Sequence, residues 1–140
     1  MIDIIPPCEV KGIHHIGIAV SDINLAAQYY QTTFNIKEAP TLENHEFSVL
    51  GIFLPVNGVH LELLQGTNPD SLISKFIAEK GEGIHHLCFE VDDIQKSIDT
   101  LLARDIKLLD KTPRQGFIGP VAFLHPKSSR GVLVELAQHE

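Results

Sequence analysis

Four histidines stand as two adjacent pairs. GIHHIGIAVSDI fills residues 12–23 and GIHHLCFEVDDI residues 83–94, and seven of the twelve positions are identical. A second echo follows each string: GVHLEL (Gly58–Leu63) is matched by GVLVEL (Gly131–Leu136), and IFLP (Ile52–Pro55) loosely by AFLHP (Ala122–Pro126). His15 and His86 are 71 residues apart, and Glu62 and Glu135 are 73 apart. One His and one Glu therefore recur at matched places, with a change of offset that one loop of different length would absorb. Alternate side chains of a strand share a face. By that rule His15 and His86, with Glu62 and Glu135, oppose the apolar faces of their strands. Two imidazoles and two carboxylates that converge suit a divalent ion such as Zn²⁺, Co²⁺, Ni²⁺ or Mn²⁺. Four protein ligands on an ion that takes six leave two positions for water or a bidentate substrate, which is a catalytic arrangement. A lone His at a strand start or a lone Glu in a strand is ordinary surface chemistry; the duplication of both is what points to a metal. Strand parity sends His14 and His85 to the opposite face, in a structural or supporting role. His60 shares the face of Glu62, but its counterpart is Leu133, so it is a weaker ligand candidate.

The elements that must position these residues also repeat. GIHHIGIAV alternates and is rich in β-branched residues, so it reads as a strand. Ser21 or Asp22 is placed to cap a helix whose apolar face is Ile23, Ala26, Ala27, Tyr30 and Phe34, and Asn35 is suited to end it. The second copy offers Asp92 or Asp93, then Ile94, Ile98, Leu101 and Leu102. Strands are expected at residues 47–54 and 59–64, and again at 121–125 and 132–136, with weak strands near 37–41 and 107–111. The chain thus reads as β-α-β-β-β twice, over about 12–65 and 83–137. The linker, residues 66–82, carries a helix near Asp70–Lys80 that Gly81 stops.

The 140 residues fit one domain made of two half-domains. A formal charge of −7 disfavours a nucleic-acid partner, which calls for a basic face. No stretch approaches the roughly 20 apolar residues of a membrane span. MIDIIPPCEVKG lacks the charged start and apolar run of a secretory signal. Cys8 and Cys88 are too far apart for a C-x-x-C pair and read as reduced thiols. Together these features set the expectation of a cytoplasmic protein.

GIHHIGIAVSDI resembles the opening strand of the vicinal oxygen chelate superfamily, to which the glyoxalases and bleomycin resistance proteins belong. GEGIHHLCFEVDDI and GPVAFLHPKSSRGVLVEL, with its HPK turn, are similar to the second-half signature of the methylmalonyl-CoA epimerase family. The resemblance runs from about Gly12 to Gln138. It implies an α+β fold of two paired β-α-β-β-β modules curling around a central metal cavity. It implies metal ligands at His15, Glu62, His86 and Glu135, with Co²⁺ ahead of Zn²⁺, Ni²⁺ and Mn²⁺. The activity it implies is interconversion of (R)- and (S)-methylmalonyl-CoA by proton abstraction through a metal-stabilised enediolate, with Glu135 and Glu62 as the acid/base residues. It further implies an acyl-CoA substrate and a homodimer. Some family members carry a catalytic Glu in the strand read at residues 47–54, whereas FSVLGIFL holds no acid and only Glu43 and Glu46 precede it. Lys111, Arg114, Lys127 and Arg130 are placed to meet an anionic CoA tail, and QGFIGP (Gln115–Pro120) reads as a mobile loop able to cover the substrate. Three alternatives stay open: a glyoxalase I type isomerase, a metal-free small-molecule-binding or resistance protein of the same fold, and an extradiol dioxygenase. The last is the weakest, since two His, one acid and open positions suit non-haem iron better.

Overall fold

The computed structural model describes residues 4–139. These residues hold eight strands, three α-helices and one 3-10 turn, in the order β-α-β-β-β, helix, β-α-β-β-β. The chain forms two compact units, residues 14–86 and residues 4–13 with 87–139.

In the first unit, β1 (Gly12–Ala19) leads into α1 (Ile23–Phe34), followed by β2 (Thr41–Asn44), β3 (Val49–Val56) and β4 (Val59–Gly66). Strand order is β2-β3-β4-β1, with β1 and β4 parallel and the other neighbours antiparallel. Of the two candidate caps, Asp22 starts α1: its carboxylate accepts from the Asn24 and Leu25 amides at 3.1 Å. Asn35 ends the helix in the left-handed conformation, φ 55°. The Gln65 side chain accepts from the Ile23 amide at 2.8 Å, which ties the helix N-terminus to the end of β4. The core lies between α1 and one face of the sheet: Ile23 and Ala27 pack with Ile52, Leu54 and Leu63. The linker helix α2 (Leu72–Lys80) begins two residues later than the pattern suggested, because Ser71 is its cap, accepting from the Ile73 amide at 3.2 Å. It packs on β4 at Gly66, where a Cβ would collide with the Ser74 hydroxyl.

The second half of the chain repeats this plan with β5 (Gly83–Glu90), whose residues up to His86 belong to the first unit, α3 (Ile94–Ala103), β6 (Arg114–Gln115), β7 (Pro120–Phe123) and β8 (Val134–Ala137), ordered β5-β8-β7-β6. Asp93 is the cap, accepting from the Lys96 amide, and Gln138 holds the Ile94 amide at 2.9 Å. Its core is Ile94, Ile98 and Leu101 against Ala122, Leu124 and Leu136. The weak strand expected near 107–111 is reduced to a single bridge, Leu108 to Leu124. That near 37–41 falls a few residues later, as β2. QGFIGP is not a long loop. It is the tight end of the β6–β7 hairpin, closed by a Gly116 N–H bond to the Gly119 carbonyl at 2.9 Å. Its glycines answer to close packing: a Cβ on Gly119 would strike the Gln138 carbonyl, and one on Gly116 the Val121 side chain.

The registers locate the change of offset. Gly17 pairs with Glu62 as Cys88 pairs with Glu135, and Phe53 faces Glu62 as Phe123 faces Glu135. The two phenylalanines are 70 residues apart, while the histidines are 71 and the glutamates 73 apart. In the second copy the helix is two residues shorter, the stretch from helix to phenylalanine is one longer, and the connection between β7 and β8, from phenylalanine to glutamate, is three longer. The longer connection holds the 3-10 turn Pro126–Ser129, capped by His125, whose Nδ1 accepts from the Lys127 amide at 3.1 Å. Both connections close with a left-handed residue before glycine, Asn57-Gly58 and Arg130-Gly131. Among the described residues no helix is long and apolar enough to cross a membrane.

Candidate metal centre

β1 and β4 run side by side with Gly17 opposite Glu62, so His15 on β1 and Glu62 on β4 share a face. Leu61, Leu63 and Ile18, on the other face, belong with the α1 core. Three donor atoms then come together within this unit. His15 Nε2 and His86 Nε2 are 3.0 Å apart, and Glu62 Oε1 lies 3.3 Å from the first and 3.2 Å from the second. All three residues are buried, at 3%, 4% and 5% exposure. Donors about 2.1 Å from a common ion stand about 3.0 Å apart at right angles and about 3.4 Å apart at the tetrahedral angle. The triangle fits that spacing, and its imidazole and carboxylate donors suit a divalent ion.

Burial alone pushes the Glu62 carboxyl up, because the charged form loses its hydration. The hydrogen bonds and attraction from His15 and His86 outweigh this and hold it below the ordinary carboxylate value. Glu62 is thus kept in the anionic form that a metal ligand needs.

A glycine makes the triangle possible. A Cβ on Gly17 would fall inside the His86 ring, so only a residue without a side chain lets that imidazole lie against β1. An isolated glycine inside an alternating strand is the sequence signal for such a close approach. Phe53, directly across from Glu62, stands edge-on to His15 at 5.4 Å and gives the site an apolar wall.

Glu135 is buried at 7% exposure in β8 of the second unit, paired with Cys88, as Glu62 is paired with Gly17. His60 does not join the triangle; it stacks on His14, with centroids 5.1 Å apart. The parity expectation for the first His of each pair fails. His14 Nδ1 is 2.7 Å from His15 Nδ1, and His85 Nδ1 is 3.0 Å from His86 Nδ1. His14 also stacks on His60, which pairs with His15, so its ring lies on the side of the site. Two acids precede β3. Glu43 is exposed and pairs with Leu50, on the helix-covered face, and Glu46 is exposed in the turn. Of the four basic residues, Arg114 pairs with Val121, which shares the face of Phe123 and Glu135. Its guanidinium lies 3.9 Å from Asp110.

The family model of the glyoxalase/bleomycin resistance protein/dioxygenase superfamily matches residues 14–123. The chain is 36% identical over 138 residues to the mitochondrial methylmalonyl-CoA epimerase of Dictyostelium discoideum, covering 97% of this chain and 83% of that protein. It is 38% identical over 130 residues to the mitochondrial methylmalonyl-CoA epimerase of Homo sapiens, covering 90% and 73%. A solved methylmalonyl-CoA epimerase in complex with methylmalonyl-CoA and NH4+ is 33% identical and has a TM-score of 0.90, covering 94% of this chain and 96% of that one.

Proposed function

The chain belongs to the glyoxalase/bleomycin resistance protein/dioxygenase superfamily, and from that premise we propose that it is an epimerase that interconverts (R)- and (S)-methylmalonyl-CoA. The observation that carries this reading is the buried triangle of His15, His86 and Glu62. We assign His15, Glu62, His86 and Glu135 as the ligands of one divalent ion, Co²⁺ before Zn²⁺, Ni²⁺ or Mn²⁺. Support for Glu135 is its burial and its register, which repeats that of Glu62 one module later. We likewise read the chain as one domain made by duplication of residues 12–65 and 83–137.

Epimerisation must remove a weakly acidic proton from the carbon between a thioester and a carboxylate, then return it on the other face. A divalent ion, when bound, supplies the positive charge that makes the carbonyl a better electron sink. The protein supplies the bases. Among the described residues of the first unit, Glu62 is the one carboxylate on the site face of the sheet, and in the second unit Glu135 holds the matching place. Glu135 takes the proton on one face, and Glu62 is its partner on the other. Phe53, edge-on to His15, gives that side of the site an apolar wall. Arg114 is placed on the Glu135 face, where it can meet an anionic part of the acyl-CoA. We assign a homodimeric, cytoplasmic protein as the working form.

The decisive experiment follows deuterium exchange at the α-carbon of methylmalonyl-CoA, with purified protein, before and after metal removal. Exchange that disappears with the metal and returns with Co²⁺ is expected; no exchange with any divalent ion overturns the assignment. Turnover of methylglyoxal with glutathione, in its place, would favour a glyoxalase.

A further inference from the structure

Each metal-ligating histidine follows another histidine, and one histidine per copy would suffice for ligation. The geometry accounts for the extra ones. His15 and His86 turn Nε2 toward Glu62 and toward each other, which leaves Nδ1 as the far side of each ring. That far side meets Nδ1 of the preceding histidine, at 2.7 Å for His14 and 3.0 Å for His85. A neutral imidazole carries one hydrogen. If Nε2 is to offer its lone pair to a metal, the hydrogen sits on Nδ1 and must be donated. The acceptor at that position is His14 Nδ1 or His85 Nδ1, which in turn must carry its own hydrogen on Nε2. With the reverse arrangement, in which His15 and His86 donate from Nε2 to Glu62, the ligand positions are blocked until the hydrogen moves to Nδ1.

We infer that His14 and His85 are positioning residues that accept the Nδ1–H of His15 and His86 and so fix both ligand imidazoles in the metal-binding tautomer. The inference rests on the metal-centre reading given above. Both acceptors are held by contacts that do not involve a metal. His14 is stacked on His60 at 5.1 Å and stands edge-on to Phe53 at 5.8 Å. His85 is edge-on to Phe76 of α2 at 5.0 Å. Partners of this kind beyond the ligands usually contribute a factor of 10–100 in metal affinity.

The test separates the acceptor from the ring. His14→Phe and His85→Phe keep an aromatic ring for the stack and remove the acceptor. His14→Asn and His85→Asn remove the ring but keep an acceptor oxygen close to the position of Nδ1. Co²⁺ affinity is measured on the whole chain by competition with a chelator, alongside a circular-dichroism melt. We expect each Phe variant to bind Co²⁺ about 10- to 100-fold more weakly and each Asn variant to stay within about threefold of the parent. A purely structural role would give the opposite order, and that order overturns the inference, as would Phe variants that bind like the parent. If the Phe variants do not fold, the ¹⁵N spectrum of the Zn²⁺-loaded parent decides. Bare Nδ1 on His14 and His85 supports the inference, and protonated Nδ1 there overturns it. A parent chain that binds no divalent ion overturns the metal centre itself, a failure visible before any variant is made.

Discussion

The two copies of the module agree where they hold a donor and differ in what surrounds it. In both, an aspartate caps the helix, a glutamine at or just past the end of the last strand accepts from the first helical amide, and a phenylalanine faces the glutamate. These contacts set the height and register of one strand against its neighbour. The differences are local. Where the first copy has Gly17, the second has the fully buried Cys88; where it has His60, the second has Leu133. The first joins its last two strands by a tight Asn57-Gly58 turn, the second by a capped 3-10 turn three residues longer. The comparison teaches that the scaffold places the proposed ligands at matching registers, while the residues around them differ between the two copies.

The sharpest way to break the symmetry is to remove one glutamate at a time. Glu62→Ala and Glu135→Ala should each reduce α-carbon exchange by at least about 10³-fold, some 4 kcal/mol of barrier. Full exchange by the Glu135 variant would mean that the assigned base is wrong. Next come the matched core leucines. Leu63→Ala and Leu136→Ala, at 0% and 2% exposure, should each cost about 2–5 kcal/mol in urea unfolding. A large gap between them would show that one copy carries most of the stability.

The third comparison tests the asymmetry. Gly17→Ala should weaken Co²⁺ binding by about 10- to 100-fold, because its methyl takes the space of the His86 ring. Cys88→Ala, at the equivalent register, should change affinity by no more than about threefold. Equal effects would undo the claim that the glycine is a cradle. The smallest effects belong to the caps. Asp22→Ala and Asp93→Ala should each cost about 1 kcal/mol in thermal unfolding. Asp22 should cost the more, since it accepts two amides and Asp93 one.

Much of this was legible from residue order. Periodicity located both modules and all three helices, and it put His15 and Glu62 on the face away from α1. It located β3 to within two residues, because an apolar run has fuzzy ends until a partner strand fixes its register. The β6 region was missed, since a two-residue strand has no pattern of its own and exists only through pairing with β7. The rule of alternating faces also misled for His14 and His85. Parity gives the direction in which a Cβ leaves the strand, whereas each of these rings reaches round to the Nδ1 of the next histidine.

The sequence by itself determined that one histidine and one glutamate are written twice, on strands flanked by capped helices, in an acidic chain. Tertiary structure alone decided that Glu62 lies within 3.3 Å of both imidazoles, that Gly17 must be bare, and that each leading histidine meets the far nitrogen of the next. The physical reason is range. Periodicity reports which way a side chain leaves its own strand, whereas a ligand triangle depends on register between strands that are some 45 to 70 residues apart along the chain.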